Sequence, residues 1–277
     1  MKTGNIEYYV ADPAGNVTIL VSSPVPREKY QEVAKALLAT EPSAEQVGFI
    51  VDEDGGERME MAGLEFCGNA SRAFAFYRAT KADPALEEVD VTVSGSPVPL
   101  HTWITVEEGP GEDPDSGRRR IAAGRVKIEM PLPVAVEELR IPAEAACGTE
   151  IRGRLVRIEG IDHLVMKGVS ADRELVERIL AWFYGEGGFD SPAFGMMFLQ
   201  EDREHLTPVV YVRDVDTTYF EGSCASGSLA TAWALALEEE GDRQYTLRQP
   251  AGELTVSVIR GQEKDQGLLD GTVSLME

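Results

Sequence analysis

Two cysteines of this sequence, Cys67 and Cys224, have surroundings in which a thiol could do chemistry. Each is followed by small residues and then by an apolar run, in FCGNASRAFAFY (66–77) and SCASGSLATAWA (223–234). Apolar side chains all round predict a buried helix, and small residues let other groups approach the backbone where it starts. The first N–H groups of a helix lack internal partners and carry the positive end of its dipole. A cysteine there ionises more readily, and a carboxylate bound beside it gains several donors.

The context of the two cysteines is duplicated at a spacing of 157 residues. At this spacing, four of the ten positions 67–76 are identical to their counterparts. A strand pattern ending in a Gly-containing turn follows each helix, at 88–95 and 245–252. The simplest account is a duplicated two-domain chain. We predict an N-terminal domain over 1–130 carrying Cys67 and a C-terminal domain over 131–277 carrying Cys224, with the active site in the cleft between them.

Two helix starts that face each other would hold a small carboxylate from both sides. One sulfur would then lie on each side of its α-carbon, so that one thiolate removes a proton and the other thiol returns one. The N–H groups would stabilise the charge that develops on the carboxylate. This scheme needs no metal and no organic cofactor. The alternative is that both thiols are ordinary packing, which is common for free cysteine. Cys147 lacks the duplicated context, and we interpret it as structural or exposed.

Composition narrows the class of protein. The chain has 277 residues with 26 Lys and Arg against 48 Asp and Glu, a net charge of −22 that disfavours nucleic acid and anionic membranes as partners. Three cysteines and three histidines without paired ligand spacing predict neither a disulfide scaffold nor a structural zinc site. No apolar stretch is long enough for a membrane span, and the N-terminal residues do not resemble a secretory signal. We expect a cytoplasmic protein.

The paired motifs resemble those of diaminopimelate epimerase, a family of the cofactor-independent racemases. Besides Cys-Gly-Asn-Ala and Cys-Ala-Ser-Gly, the matching segments cover nearly the whole chain in the family's order. They are 15–16, 92–95, 160–163 and 250–254. The resemblance implies an α/β (α+β) fold of two pseudo-symmetric domains, each a barrel-like, mostly antiparallel sheet around a central buried helix. It also implies a homodimer.

The resemblance further implies roles for individual residues. Cys67 and Cys224 would be the acid/base pair. Substrate contacts would come from the residues that match the family's motifs: Asn16, Gly68, Asn69, His163, Ala225 and Ser226.

Other positions depart from the diaminopimelate epimerase pattern. Ile161 and Gly195 stand where that family has Asn, and Asp216 falls near its Glu-Arg pair. Asp216, Glu60 and Arg58 are candidates for recognising a polar side chain. These departures favour, as substrate, a free amino acid other than diaminopimelate. Histidine or another polar amino acid fits this expectation, and histidine racemases are among the comparable enzymes. The alternatives are diaminopimelate epimerase itself, a proton-shuttling isomerase of a non-amino acid, or a binding protein on the same fold.

Overall fold

The computed structural model describes residues 6–53, 56–82, 85–114 and 116–277. The chain divides into two compact units. Unit 1 comprises residues 1–130 and 268–277, and unit 2 comprises residues 131–267. The boundary at residue 130 is the same in the sequence prediction and in the structure. The last ten residues, 268–277, were predicted to lie in the C-terminal domain and belong to unit 1. The division into functional domains stays a proposal.

The described residues of unit 1 up to residue 130 form eight strands and two α-helices. They are β1 (Tyr8–Asp12), β2 (Thr18–Val21), α1 (Tyr30–Thr40), β3 (Gln46–Glu53), β4 (Gly56–Met61), α2 (Gly68–Lys81), β5 (Glu88–Val93), β6 (Leu100–Glu108), β7 (Gly111–Glu112) and β8 (Arg119–Glu129).

The remainder of the chain contains nine strands and two helices within the described residues. They are β9 (Ala135–Ile141), β10 (Ile151–Ile158), β11 (Ile161–Lys167), α3 (Arg173–Tyr184), β12 (Ala193–Leu199), β13 (Leu206–Val212), β14 (Thr217–Phe220), α4 (Ala225–Ala236), β15 (Arg243–Arg248), β16 (Glu253–Ile259) and β17 (Gln266–Met276).

A closed ring of strands surrounds α2 in unit 1. The order is β1-β2-β3-β4-β5-β6-β8-β17, and β17 pairs with both β8 and β1 to close it. Neighbours are antiparallel except for the pairs β2–β3 and β4–β5. The ring covers α2 so completely that Ala70, Phe74 and Phe76 are fully buried. Outside the ring, α1 packs Val33 and Leu37 against strand residues of β2 and β3.

Unit 2 contains a six-stranded sheet and a separate hairpin. The sheet has the order β14-β13-β12-β11-β10-β9, and the hairpin is formed by β15 and β16. The central helix α4 packs against β10, β11, β12 and the hairpin. Helix α3 buries Ile179 and Phe183 against Phe194 and Phe198 of β12. Each unit therefore has one buried helix and one outer helix.

The predicted fold class is confirmed, because both units are mostly antiparallel sheets around a central buried helix. Helix α2 begins directly after Cys67, as the apolar run after that cysteine predicts. The alternating pattern did not reveal β1, β9, β14 or β17. Strand β9 lies at the edge of its sheet and is mostly exposed, so its sequence AVEELRI lacks clear alternation. Strand β17 contains Gly267 and Gly271, which favour a turn in a sequence pattern.

No helix in the described part of the chain is both long and apolar enough to cross a membrane.

The turn after β5 fixes the segment that leads into Cys67. Gly95 has a φ of +71°, and a Cβ there would collide with the backbone N of Phe66. The preceding Ser94 donates its hydroxyl to Glu65 O at 2.8 Å and accepts Met61 N–H at 2.9 Å. The Ser-Gly pair thus holds residues 61–66 in place.

Replacing Gly95 by Ala is expected to lower the free energy of unfolding by about 2–4 kcal/mol, combining left-handed strain with a backbone collision. Gly160→Ala is the matched control, since Gly160 also has a positive φ of +84° but has open space around it. The control should lose only about 1–2 kcal/mol. Urea denaturation measures both values, and equal losses would show that the contact with Phe66 does not matter.

Candidate active site

Cys67 is the N-cap of α2. Its backbone is extended (φ −134°, ψ 112°), and its Sγ accepts the N–H of Ala70 at 3.4 Å. Its carbonyl accepts the N–H of Ser71 at 2.9 Å and the hydroxyl of the same residue at 2.7 Å. The side chain is half-buried. The sulfur therefore lies at the positive end of α2, in contact with its first turn.

Cys224 caps α4 in the same way. Its φ and ψ are −121° and 114°, and its Sγ accepts the N–H of Gly227 at 3.4 Å. The carbonyl accepts the N–H and the hydroxyl of Ser228 at 3.0 and 2.6 Å. Ser71 and Ser228 are separated by the same 157 residues as the cysteines. The duplication seen in the sequence is thus also a duplication of hydrogen-bonding geometry.

Gln249 supports the second cysteine turn and was not identified from the sequence. Its Oε1 accepts the N–H of Cys224 at 2.8 Å, and its Nε2 donates to Ser228 Oγ at 3.1 Å. It comes directly before the Pro-Ala-Gly turn, whose Ala251 donates its N–H to Gly222 O at 2.9 Å. The only sequence signal was its place next to a turn already recognised as duplicated.

The thiol of Cys224 has a strong preference for its protonated form. Burial raises its pKa well above the usual value, and the negative charge of Glu221 raises it further. The Gly227 N–H and Ser226 Oγ, 3.7 Å from the sulfur, act in the opposite direction with less effect. Glu221 is the second residue that sequence reasoning missed, although it lies only three positions before the cysteine.

In unit 1, two predicted substrate contacts are held by hydrogen bonds within the protein. Asn16 is buried, donating to Glu45 Oε2 at 2.5 Å and accepting from Gln46 Nε2 at 2.7 Å. Asn69 is also buried, and its Oδ1 accepts from Arg72 at 3.1 Å. These bonds fix the orientation of both carboxamides. Gly68 and Asn69 lie in the first turn of α2, next to Cys67.

His163 lies on β11 beside Gly195, its parallel partner on β12. It is fully buried, and neither ring nitrogen has a partner among the described residues. A Cβ at Gly195 would collide with its Nδ1, so glycine makes room for the imidazole. Met197 lies against both Gly195 and Gly227, which connects this cluster to the first turn of α4.

The residues predicted to recognise a polar side chain of the substrate make contacts within the protein. Asp216 is exposed, has a φ of +45°, and accepts a hydrogen bond from Tyr211 Oη at 2.9 Å. Glu60 is buried, pairs with Arg27, and accepts from Tyr30 Oη at 3.0 Å. Arg58 contacts the same carboxylate at 3.4 Å. Glu60 and Arg58 thus belong to an ion-pair cluster around the buried Glu60 carboxylate. A substrate role for Asp216 stays a prediction.

Cys147 is exposed, as predicted. No group of three or more His, Cys, Asp or Glu side chains suited to a metal ion occurs within residues 6–53, 56–82, 85–114 and 116–277.

Solved structures define the class of this fold. A predicted epimerase from Pseudomonas aeruginosa matches with a TM-score of 0.63 at 11% identity, covering 99% of this chain and 98% of that one. A methylitaconate-delta-isomerase matches with a TM-score of 0.52 at 13% identity, covering 98% and 95%. The fold is thus the diaminopimelate epimerase-like fold of epimerases and isomerases.

Sequence comparison identifies the family. The sequence model of the family described as the histidine racemase CntK N-terminal domain matches residues 5–276, and the chain belongs to this family. A histidine racemase of Fusobacterium nucleatum subsp. nucleatum is 29% identical over 284 residues, which cover 99% of this chain and 96% of that protein. A histidine racemase of Staphylococcus aureus is 26% identical over 265 residues, covering 92% and 89%. The chain is an isomerase of the amino-acid racemase class.

The buried imidazole of His163 makes stability depend on pH. Burial lowers the pKa of His163 to about 3 from 6.5. Below pH 6.5 the unfolded chain binds a proton at this imidazole that the folded protein does not. The free energy of unfolding is therefore unaffected above pH 6.5 and falls as the pH drops toward 3, by about 2–3 kcal/mol at pH 4.5. His163→Leu should remove this part of the pH dependence. Urea denaturation of both proteins at pH 7 and pH 4.5 measures the difference, and parallel losses in both would contradict the assignment.

Proposed function

We propose that this chain inverts the α-carbon of a free amino acid, with histidine the first candidate, by using Cys67 and Cys224 as the two acid/base groups. The observation that carries the proposal is the duplicated cap, in which each Sγ accepts a first-turn N–H at 3.4 Å. Packing alone requires neither the same backbone angles nor the same serine contact twice. Membership of a racemase family supports the same conclusion.

In the proposed reaction, the thiolate of one cysteine takes the α-proton and the thiol of the other delivers its proton to the opposite face. One S–H bond forms as the other breaks, so the protein's proton count is unchanged and no redox step is needed. The N-terminal N–H groups of α2 and α4 would stabilise the charge on the substrate carboxylate as the α-carbon becomes planar. Within this scheme, Gly68, Asn69, Ala225 and Ser226 surround the amino-carboxylate group.

Three further residues are proposed as substrate contacts: Asn16, His163 and Asp216. Burial keeps His163 neutral at physiological pH, so it would act as a hydrogen-bonding group rather than as a charge. Its ring nitrogens have no partner in the described residues, which fits a role in contacting a ligand or a water molecule.

The proposed substrate follows from relatives and from one contact. Proteins similar over almost the whole chain are named histidine racemases. Gly195, which replaces an Asn of diaminopimelate epimerase, lies against His163, and an Asn side chain there would collide with the imidazole in its present position. Both observations favour histidine, or another polar amino acid, over diaminopimelate. A pyridoxal-phosphate-independent reaction, a cytoplasmic location and a homodimer are parts of the proposal that await their own measurements.

Single-cysteine variants test the two-face mechanism. Cys67→Ala and Cys224→Ala should each lower the racemisation rate by about 10²–10⁴-fold, the usual contribution of an acid/base group. In deuterated water, the remaining cysteine can still remove and return a proton on its own face. Each variant should therefore exchange the α-hydrogen of one enantiomer only, and the two variants should select opposite enantiomers. Cys147→Ser is the matched control and should keep full activity. Racemisation by both alanine variants at the full rate would rule out the mechanism.

A substrate panel separates the alternatives. Nuclear magnetic resonance in deuterated water would follow α-hydrogen exchange in the common amino acids and meso-diaminopimelate, with polarimetry for inversion. We expect histidine to exchange fastest, and the rate should survive both EDTA and hydroxylamine, which removes reactive carbonyl cofactors. Preference for diaminopimelate would identify an epimerase of that compound. If no amino acid exchanges, the chain acts on a different class of compound.

A further inference from the structure

Three positively charged side chains lie next to one another on adjacent strands of the unit 2 sheet. Arg152 on β10 is directly opposite Arg140 on β9. On its other side, β10 pairs with β11 so that Gly153 is opposite Met166, which places Lys167 beside Arg152. We call Arg140, Arg152 and Lys167 the cation row. Like charges at opposite positions of neighbouring strands destabilise a sheet, and the row is unusual in a chain with a net charge of −22.

Elsewhere the same two strands place opposite charges together. Two residues along from Arg152, Arg154 is opposite Glu138. Further along, Arg157 pairs with Glu137 at 2.7 Å. Both arrangements compensate charge within the sheet. The cation row departs from this pattern, so the stability of the two strands does not explain its charges.

The ion pairs of the cation row are exposed to water. Arg152 pairs with Glu150 at 2.9 Å, and Lys167 pairs with Glu201 at 3.0 Å, with all four side chains exposed. Arg140 makes no ion pair within the described part of the chain. Exposed ion pairs are weak, because water screens them and the side chains lose freedom on pairing. A ligand anion can therefore replace these carboxylates at little cost.

A cavity of about 250 Å³ adjoins the cation row, and all three members of the row line it. The rest of the lining includes two carboxylates, a further guanidinium and three apolar side chains: Glu138, Glu238, Arg154, Val165, Leu199 and Leu235. One water molecule occupies about 30 Å³ in the liquid. The cavity therefore has room for a small organic molecule and not only for an ion.

The end of α4 that reaches this cavity has its own compensating charge. The C-terminal carbonyls of a helix carry partial negative charge, which would repel an anion. Arg154 donates to the carbonyl of Ala234 in the last turn of α4 and pairs with Glu238 at 3.1 Å. It thus offsets the charge of the helix end and of one carboxylate. The three cations of the row then outnumber the other carboxylate of the lining, Glu138.

We propose that this cavity binds a small organic phosphate, with the cation row holding the phosphate group and the apolar side chains covering the organic part. The fork of N–H donors on each arginine matches the oxygens of a phosphate, and the lysine adds a further charge. The site is separate from Cys224, which caps the start of α4, whereas Leu235 lies in its last turn. Ten residues of helix span about 15 Å. The inference therefore goes beyond the proposed function and does not rest on it.

The test measures the binding of three probes by isothermal titration calorimetry at constant ionic strength. The probes are phenyl phosphate, inorganic phosphate and phenol. Phenyl phosphate should bind at one site per chain. Inorganic phosphate should bind about tenfold more weakly, because it buries no apolar surface, and phenol should not bind. Constant ionic strength ensures that a difference between the probes does not come from screening.

Variants of the two arginines locate the bound phosphate. Arg140→Gln and Arg152→Gln should each weaken the binding of phenyl phosphate by about tenfold, the effect of losing a hydrogen bond to a charged group. Both positions are exposed, so both variants should fold. Arg119→Gln in unit 1 is the matched control. Its side chain is 71% exposed and pairs with Glu277 at 2.7 Å, whereas Arg152 is 69% exposed and pairs with Glu150 at 2.9 Å.

A carboxylate variant tests the same site with the opposite sign. Glu138→Gln removes a negative charge from the lining of the cavity and should strengthen the binding of phenyl phosphate about two- to fivefold, the effect of one exposed charge. Glu137→Gln is its control, because successive residues of a strand point to opposite faces and Glu137 pairs with Arg157 instead. The control should leave the affinity unchanged.

Two results would overturn the inference. If neither phenyl phosphate nor inorganic phosphate binds the wild-type protein, the cavity is not a phosphate site. If Arg140→Gln and Arg152→Gln bind as the wild type does, or if Arg119→Gln loses as much affinity as they do, the phosphate lies elsewhere on the chain. Both results are independent of racemisation, so the single-cysteine variants of the proposed function are tested separately.

Discussion

The structure depends on the need to bury two helices that are apolar on all sides. Such a helix is stable only when protein surrounds it, and its first N–H groups must then find partners inside the fold. Oxygen-bearing side chains are the usual N-caps, but here sulfur accepts the N–H of Ala70 and of Gly227. A neutral thiol is a weak acceptor, whereas a thiolate is a strong one. The first-turn N–H therefore acts in favour of an ionised sulfur, but at Cys224 burial and the negative charge of Glu221 outweigh it and raise the pKa of the thiol.

The helices were easier to predict than the strands, because burial on every side leaves a pattern that does not depend on neighbours. Helix α2 begins just after Cys67 and ends at Lys81, where its sequence loses apolar residues. Strands β9 and β17 gave no comparable pattern. Strand β9 is an exposed edge strand. Strand β17 is held in the sheet by pairing with β1 and β8, which lie far away in the sequence. Long-range pairing of that kind has no local signal, and it explains why the last ten residues were assigned to the other half.

In the candidate site, too, some residues could be predicted from a local sequence pattern and others could not. Both cysteines, and the serines that contact them, could be recognised because they recur at a fixed spacing in the sequence. Glu221 and Gln249 could not, since neither has a counterpart of the same type in the first half and both act through loop geometry. Gly195 is instructive in another way. In the sequence, Gly195 was only a position where the Asn of diaminopimelate epimerase is missing. In the structure, the imidazole of His163 occupies the space that a side chain at this position would need.

A duplicated fold creates a difficulty for the proposed reaction, which needs one base and one acid. The capping hydrogen bonds of the two helix starts are alike, so these bonds alone would not decide which cysteine carries the proton. The surroundings of the two sulfurs differ, because Cys67 is half-buried whereas Cys224 is buried, and burial together with the charge of Glu221 raises the pKa of the Cys224 thiol. The bias cannot favour one product, because the equilibrium constant between enantiomers in water is unity and kcat/KM must then be equal in both directions. It can only divide that ratio differently between kcat and KM for the two enantiomers. An asymmetric pair of thiols is therefore compatible with a racemase, and the asymmetry concerns which enantiomer the resting enzyme is prepared to receive.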